Sequence, residues 1–325
     1  MTIRRTSFGI LLLTIAVVAT SSSQIGGWTG AYSRLGFGAR GMGMANAMTA
    51  VSAGDIQGYY NPAVLSYGEY RNIAASFGIL SLDRRLNFLS YAQPLAPNAG
   101  LAIAIINSGV SEIDGRDSDG EPTGPLQTSE NQVMLSFSNR FKAAFSAGIN
   151  LKFLYHHLYT DVTSVTVGVD FGVFVPVGNN VSLGASVRDI NSKYKWDTSK
   201  LYGQSGSTTD DDFPLLYALG AAYRLPDSLG TLAIDVETSN QSTLIGRAGL
   251  EVHLLPEVTL RGGVDRIDLR EKGNGIRPAL GFSLTPQLGD NVPLIDPDAV
   301  GFHYTYIIEP FSSSGIHMIS LSVVF

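Results

Sequence analysis

Hydrophobic and polar residues alternate along most of the chain after its first seventy residues. In 181–188, Val181, Leu183, Ala185 and Val187 form one face, and the residues between them form a more polar one. Side chains of a β-strand point to opposite faces in turn, so a period of two predicts extended strands with one apolar and one polar face. The chain is therefore predicted to be all-β.

Fourteen segments follow this pattern. They span 71–79, 86–94, 99–108, 131–141, 143–155, 164–176, 180–190, 214–224, 230–238, 243–254, 257–266, 275–285, 300–308 and 316–325. Most are about nine residues or longer, the length that a tilted strand needs to cross a bilayer, whereas strands of soluble sheets average about five or six. The lengths favour a transmembrane antiparallel β-barrel of about fourteen strands over residues 71–325.

The connections between these segments alternate in length. The link at 177–179 leaves room only for a tight turn, while 109–130 and 191–213 are long and polar. Short turns at one rim and long loops at the other are typical of outer-membrane barrels. We expect both long stretches to be loops, with Leu201 and Tyr202 as candidate tip residues for contact with a partner.

The first 23 residues have the pattern of a secretory signal peptide. Arg4 and Arg5 precede an apolar run over 8–19, and the small residues of 20–23 follow it. The run is shorter than the roughly 20 residues of a membrane-spanning helix, which favours cleavage near Ser23. We expect an integral protein of the bacterial outer membrane, with the lipid bilayer as its surroundings.

The last segment ends the chain on an aromatic residue. Ile319, Leu321, Val323 and Phe325 share one face of this strand. A terminal aromatic residue after an alternating strand resembles the signal that the barrel-assembly machinery reads. Phe325 is therefore the candidate assembly signal, and that machinery an expected partner.

Composition removes several classes of function. Only 15% of the 325 residues are charged, cysteine is absent, and the formal net charge is −6. The lack of cysteine excludes disulfides and a lipidated cysteine. The acidic balance argues against nucleic-acid binding.

Charged residues of both signs lie on the polar faces of the predicted strands. They are Arg188, Asp235, Glu237, Arg247, Glu251, Arg261 and Asp265. Each would cost a few kcal/mol facing lipid near the midplane, so we expect them to face the lumen. There they would line a polar pathway or, as the mixture of signs favours, close the interior with ion pairs.

Motifs for catalysis, metals or cofactors do not stand out. His156 and His157 are adjacent and point to opposite faces of a strand, which makes a poor shared metal site. The acidic stretch 114–121 departs from calcium-loop spacing, and no nucleophile elbow is present. We predict a protein that is not an enzyme and has no catalytic, metal or cofactor site, although loop residues could in principle assemble one.

Residues 24–70 precede the first predicted strand and do not alternate. They contain a glycine run with Gly38, Arg40, Gly41 and Gly43, followed later by Asn61, Pro62 and Ala63. The run lacks the Lys-Ser/Thr ending of a phosphate-binding loop. Glycines at this spacing let the backbone pack closely, which predicts a plug-like segment in a narrow barrel.

These two motifs resemble the N-terminal signature of the PorV/PorQ family, and weaker similarity covers most of the chain after residue 23. The resemblance implies a FadL-like barrel of fourteen strands, with Asn61, Pro62 and Ala63 in or against it. It also implies a component of type IX secretion that binds secretion-system proteins or the C-terminal domains of cargo.

Two other functions are compatible with the sequence. A FadL-like transporter would take up a hydrophobic small molecule from outside and release it through the barrel wall. A soluble periplasmic β-protein would show similar alternation in shorter strands. The interior separates the first two possibilities, because an apolar pocket leading to a gap between strands favours transport and a polar, blocked lumen favours partner binding.

Overall fold

The computed structural model describes residues 27–52, 58–142, 144–270, 275–286 and 300–325. The predicted signal peptide at 1–23 lies outside these ranges. Short helical turns are present at Ala31–Arg34, Ala39–Gly43, Pro62–Tyr67, Ser199–Tyr202, Gly203–Ser205 and Pro226–Ser228. No helix of the described chain is long and apolar enough to cross a membrane.

Strands account for most of the described residues after 71. In chain order they are β1 Asn72–Ile79, β2 Arg84–Leu95, β3 Ala99–Arg116, β4 Pro122–Phe141, β5 Phe145–Tyr159, β6 Val162–Val177, β7 Val181–Ile190, β8 Lys193–Asp197, β9 Thr208–Asp212, β10 Leu216–Arg224, β11 Gly230–Ser239, β12 Leu244–Leu255, β13 Val258–Asp268, β14 Arg277–Leu284, β15 Val300–Ile307 and β16 Ile316–Val324.

Fourteen of these strands form one closed barrel. Each pairs antiparallel with its neighbours in chain order, except that β7 pairs with β10 across the separate hairpin of β8 and β9. Pairing of β1 with β16, from Asn72 opposite Val324 to Ile79 opposite His317, closes the sheet and removes its free edges. The predicted antiparallel barrel of fourteen strands is confirmed.

Alternation along each strand separates an apolar exterior from the lumen. In β5, Ile149, Leu151 and Phe153 are 38–43% exposed on the outside, while Asn150 and Lys152 between them are buried inside. An apolar outer face and a polar inner face are what a barrel in lipid requires.

Both long stretches expected to be loops contain regular structure, so that expectation is wrong. β3 and β4 pair on through most of 109–130 as a two-stranded ribbon, and 191–213 holds the β8–β9 hairpin. The ribbon continues beyond β2, whose pairing with β3 ends at Arg84 opposite Val110. Because this ribbon contacts neither lipid nor a hydrophobic core, it needs no apolar face, and its sequence therefore lacks the alternation that predicts a strand.

The two rims differ. The start of β1, the end of β16 and tight turns such as 178–180 lie at one rim, which corresponds to the periplasmic rim of outer-membrane barrels. The ribbon and the β8–β9 hairpin lie at the opposite, outer rim. Phe325 follows β16 at the periplasmic rim, where its backbone pairs with Arg71.

Candidate functional site

The described residues before β1, 27–52 and 58–70, lie largely inside the barrel and are called here the inserted segment. Lumen-facing glycines on five strands let its backbone touch the wall. They are Gly100, Gly148, Gly172, Gly184 and Gly249, where an added Cβ would come within 2.0–2.5 Å of atoms of this segment. Since contacts that short do not occur, these positions require glycine or a shift of the inserted segment. The sequence motifs gave no sign of these contacts at the wall glycines.

Asn61, Pro62 and Ala63 attach the inserted segment to the wall near the periplasmic rim. Asn61 Oδ1 accepts a hydrogen bond from the Ala63 amide at 3.0 Å and so caps the turn Pro62–Tyr67. The Ala63 carbonyl accepts hydrogen bonds from Ser138 and Ser146, both at 2.8 Å. Proline suits the first position of such a turn because no amide is needed there.

The short helix Ala39–Gly43 makes a second attachment, to the opposite wall. The Ala39 amide donates to Ser320 Oγ at 2.8 Å, and Thr305 Oγ1 donates to the Ala39 carbonyl at 2.5 Å. Gly38 precedes the helix with φ +73°. A Cβ at Gly41 would come within 2.5 Å of Tyr60 Oη. The glycine run therefore serves close packing inside the barrel.

Arg40 extends from this helix to a carboxylate on β12. Its Nε and Nη2 donate to the two oxygens of Glu251, both at 2.8 Å. Arg261 Nε donates to the same carboxylate at 2.6 Å, and Arg261 also donates to Ser283. Glu251 thus joins the inserted segment to the wall through a bidentate, charge-assisted pair.

A second ion-pair network crosses strands β7 and β11 to β13. Glu237 accepts from Arg188 and, at 2.8 Å, from Arg247, whose Nε donates to Asp265 at 2.8 Å. Asp235 accepts from the backbone amide of Thr49 at 3.0 Å, on the inserted segment. The seven charged residues singled out in the sequence all lie buried in the lumen, and these two networks join all except Asp235.

Sequence reasoning missed a third network. Lys152 Nζ lies 2.6 Å from Asp170 and 2.5 Å from Asp189, and all three side chains are nearly inaccessible. Asp189 follows Arg188, yet both point inward because the β6–β7 register shifts there and Asp189 has φ +66°. A bulge re-aims a side chain that simple alternation would place outside.

Charges are absent from one side of the described lumen, called here the uncharged flank. It comprises the inward-facing residues of 316–322, 72–78, 86–92 and 100–106, on β16, β1, β2 and β3. Its outer half is apolar, with Leu86, Phe88 and Ile106 buried, and its periplasmic half carries small residues such as Ala74 and Ala92. The lumen is therefore divided lengthwise by polarity.

The β8–β9 hairpin folds over the outer end of the lumen. Tyr194 and Trp196 are buried there against His156, with ring centroids 4.5 and 5.0 Å away. Phe213 packs on Tyr194 and on Gly30 of the inserted segment, where an added Cβ would lie 2.2 Å from its ring. The hairpin and the inserted segment thus close this end together.

An exposed ion pair strengthens the hairpin. Lys193 Nζ donates to Asp210 Oδ2 at 2.5 Å across the two strands. This hydrogen bond raises the pKa of the Lys193 ammonium and lowers the pKa of the Asp210 carboxyl, because each charged form stabilises the other.

The largest of the cavities described lies at the periplasmic end. It has a volume of about 630 Å³, and Tyr67, Asn72, Arg261, His303 and Ser322 are among its lining residues. We call it the periplasmic vestibule. The described residues contain no cluster of His, Asp and Glu able to hold a metal ion.

A closed barrel of fourteen antiparallel strands is the fold of FadL-like outer-membrane proteins. Solved structures of that class are similar to this chain. The CymD monoaromatic hydrocarbon channel aligns with a TM-score of 0.63 and 13% identity, over 90% of this chain and 98% of that one. The Ralstonia pickettii toluene transporter TbuX gives 0.62 and 13%, over 89% and 98%.

A Pseudomonas aeruginosa FadL homologue aligns with a TM-score of 0.55 and 11% identity, over 87% of this chain and 97% of that one. Identity this low shows a shared fold and leaves function to the site. The chain matches no family model and no curated protein sequence. The PorV/PorQ resemblance consequently rests on the sequence motifs alone.

Proposed function

We propose that the protein is an outer-membrane channel for neutral hydrophobic small molecules and is not an enzyme. The observation that carries this proposal is the uncharged flank, which runs along the lumen beside the inserted segment. The FadL-like fold supports it, because structural neighbours of this chain are hydrocarbon channels and transporters.

The flank favours a neutral ligand over a fatty-acid anion. Leu86, Phe88 and Ile106 offer dispersion contacts and no charge at its outer half. The carboxylate of Glu130 lies close by, where it accepts a hydrogen bond from Tyr194 at 3.0 Å. A ligand carboxylate would be repelled there, and Lys152 and Arg188 on the other side are engaged by acidic side chains.

Transport in this proposal requires the inserted segment or the hairpin to move. The inserted segment closes the described lumen, and its attachments through Asn61 and Arg40 hold this closed state. The two attachments differ in kind. Around Asn61, side chains donate to the backbone carbonyls of Ala63 and Val173, whereas Arg40 forms a side-chain ion pair with Glu251 of the wall.

Uptake measurements test the proposal. Cells lacking the gene should take up radiolabelled toluene more slowly than complemented cells, with little difference for radiolabelled oleate. Equal toluene uptake in both strains would reject transport of this ligand class. Membrane fractions should contain the protein in a form whose gel mobility changes on boiling, as expected of a barrel and not of a soluble β-protein.

A secretion-associated role, as in the PorV/PorQ resemblance, is the second candidate. The observation in its favour is a closed lumen with exposed apolar side chains at the outer rim, where Leu82 is 81% and Tyr202 65% exposed. Such residues fit contact with a partner protein or a cargo C-terminal domain. An unchanged set of secreted surface proteins after gene deletion would reject this role.

A further inference from the structure

We infer that the ligand route runs down the uncharged flank to the periplasmic vestibule, with Phe37 and Leu65 of the inserted segment as its two constrictions. This inference rests on the transport function proposed above. It places the exit at the periplasmic end of the barrel and not through the wall, and it makes two side chains decide which molecules pass.

The wall of the flank is sealed by uninterrupted strand pairing. The β1 register runs without a shift along both β16 and β2, over Asn72–Ile79. The β2–β3 register is likewise continuous from Arg84 opposite Val110 to Leu95 opposite Ala99. Lateral passage would require breaking these backbone hydrogen bonds in lipid, where exposed amides and carbonyls find no partner.

Phe37 closes the outer part of the route. Its side chain is fully buried, and its ring stacks on Phe88 of the wall with centroids 5.6 Å apart. It also meets Tyr59 edge-on at 4.7 Å. This ring occupies the space between the inserted segment and the apolar wall where an apolar ligand would have to pass.

Small side chains follow on the same face of the wall. Ser90 and Ala92 come two and four residues after Phe88 in β2, so their side chains point the same way. The buried hydroxyl of Ser90 has no hydrogen-bond partner among the described residues. A neutral molecule moving along this stretch would meet small side chains and would break no hydrogen bond of the Ser90 hydroxyl.

Leu65 closes the periplasmic part. It is buried in a cluster with Ala92 and Ala102, and its carbonyl oxygen would lie 2.3 Å from a Cβ added at Gly100. Two residues later, Tyr67 lines the vestibule together with Asn72 and Ser322. Movement of Leu65 therefore joins the flank to a cavity already present.

The opposite side of the inserted segment offers no equivalent route. A molecule there would have to separate pairs such as Lys152 with Asp189 or Arg247 with Glu237, which are buried and bonded at 2.5–2.8 Å. Leaving such charges unpaired costs far more than displacing a leucine or a phenylalanine.

Alanine substitutions with matched controls test the two constrictions. We expect Phe37→Ala and Leu65→Ala to raise the initial rate of toluene uptake at least about tenfold, since each removes a side chain that fills the route itself. Phe174→Ala and Val64→Ala remove similar buried side chains from a different cluster at the same segment, and they should leave the rate unchanged. Heat-dependent gel mobility checks that each variant is folded.

Engineered disulfides test the exit, and the absence of native cysteine makes them specific. Directly opposed outward pairs suit cross-linking. We choose one pair for each strand–strand seam of the flank: Ala75 with Leu321 between β1 and β16, Ile73 with Tyr91 between β1 and β2, and Leu89 with Ile105 between β2 and β3. Oxidised variants should keep the wild-type rate.

The outcomes separate the inference from the proposed function. If wild-type uptake does not exceed that of the deletion strain, the transport function itself fails. If wild-type uptake is present but an oxidised seam abolishes it and reduction restores it, ligand leaves through the wall and the inference is overturned. Equal rates in Phe37→Ala and Phe174→Ala would overturn the assignment of the constrictions.

Discussion

The carboxylate of Glu251 allows a quantitative test of how the inserted segment is held. It is 2% exposed and accepts hydrogen bonds from Arg40 and from Arg261. Glu251→Gln keeps the shape but leaves two buried guanidinium groups without their counter-ion. We expect it to lower the free energy of unfolding by about 3–5 kcal/mol, the usual cost of breaking a buried pair.

Arg40→Met should cost less. It removes one guanidinium and keeps an aliphatic side chain of similar length, while Glu251 remains paired with Arg261 at 2.6 Å. The expected loss is about 1–3 kcal/mol, the range for losing one partner of a buried polar group. Glu251→Gln should therefore lower the free energy of unfolding clearly more than Arg40→Met does.

Urea-induced unfolding of the protein reconstituted in lipid vesicles, followed by tryptophan fluorescence, measures both losses. The double variant should show a coupling of about 0.5–3 kcal/mol, as for residues in direct contact. Equal losses for the two single variants, or no coupling, would mean that Glu251 does not join the segment to the wall.

Three further predictions address other parts of the molecule. Gly148→Val should prevent the inserted segment from packing against β5, because a Cβ there lies 2.5 Å from the Pro62 backbone. Limited proteolysis should then cut the inserted segment in this variant and not in the control, Gly262→Val, whose side chain faces outward. Leu250→Arg on the lipid face should cost about 2–4 kcal/mol in the same unfolding assay, compared with Leu250→Ala. The pKa of Asp210 is lowered in the folded hairpin, so its ion pair stabilises the hairpin at neutral pH and is lost as the pH falls through that lowered value. Trp196 fluorescence, with the other tryptophan replaced by phenylalanine, should report an acid transition that Asp210→Asn weakens; an unchanged transition would count against the ion pair.

Alternation of side chains was enough to predict the barrel. A period of two indicates which face of the strand a residue occupies, and segments as long as 243–254 indicate strands that cross a bilayer. In an antiparallel barrel successive strands are neighbours, so residues such as Glu251 and Arg261 could be expected to lie near one another from chain order alone. The structure places both in the lumen, opposite each other in the β12–β13 register.

Tertiary structure alone decided what lies against those faces. The partner of Arg40 depends on the path of the inserted segment, which has no periodicity to reveal it. The side chain of Asp189 points into the lumen because of a bulge between β6 and β7. The β3–β4 ribbon extends beyond the barrel wall and has no apolar face that the sequence pattern could reveal. The uncharged flank depends on barrel closure, because it joins β1 to β16, two strands from opposite ends of the strand order. Local pattern determines the face of a residue, while contacts across long sequence distances determine its neighbour.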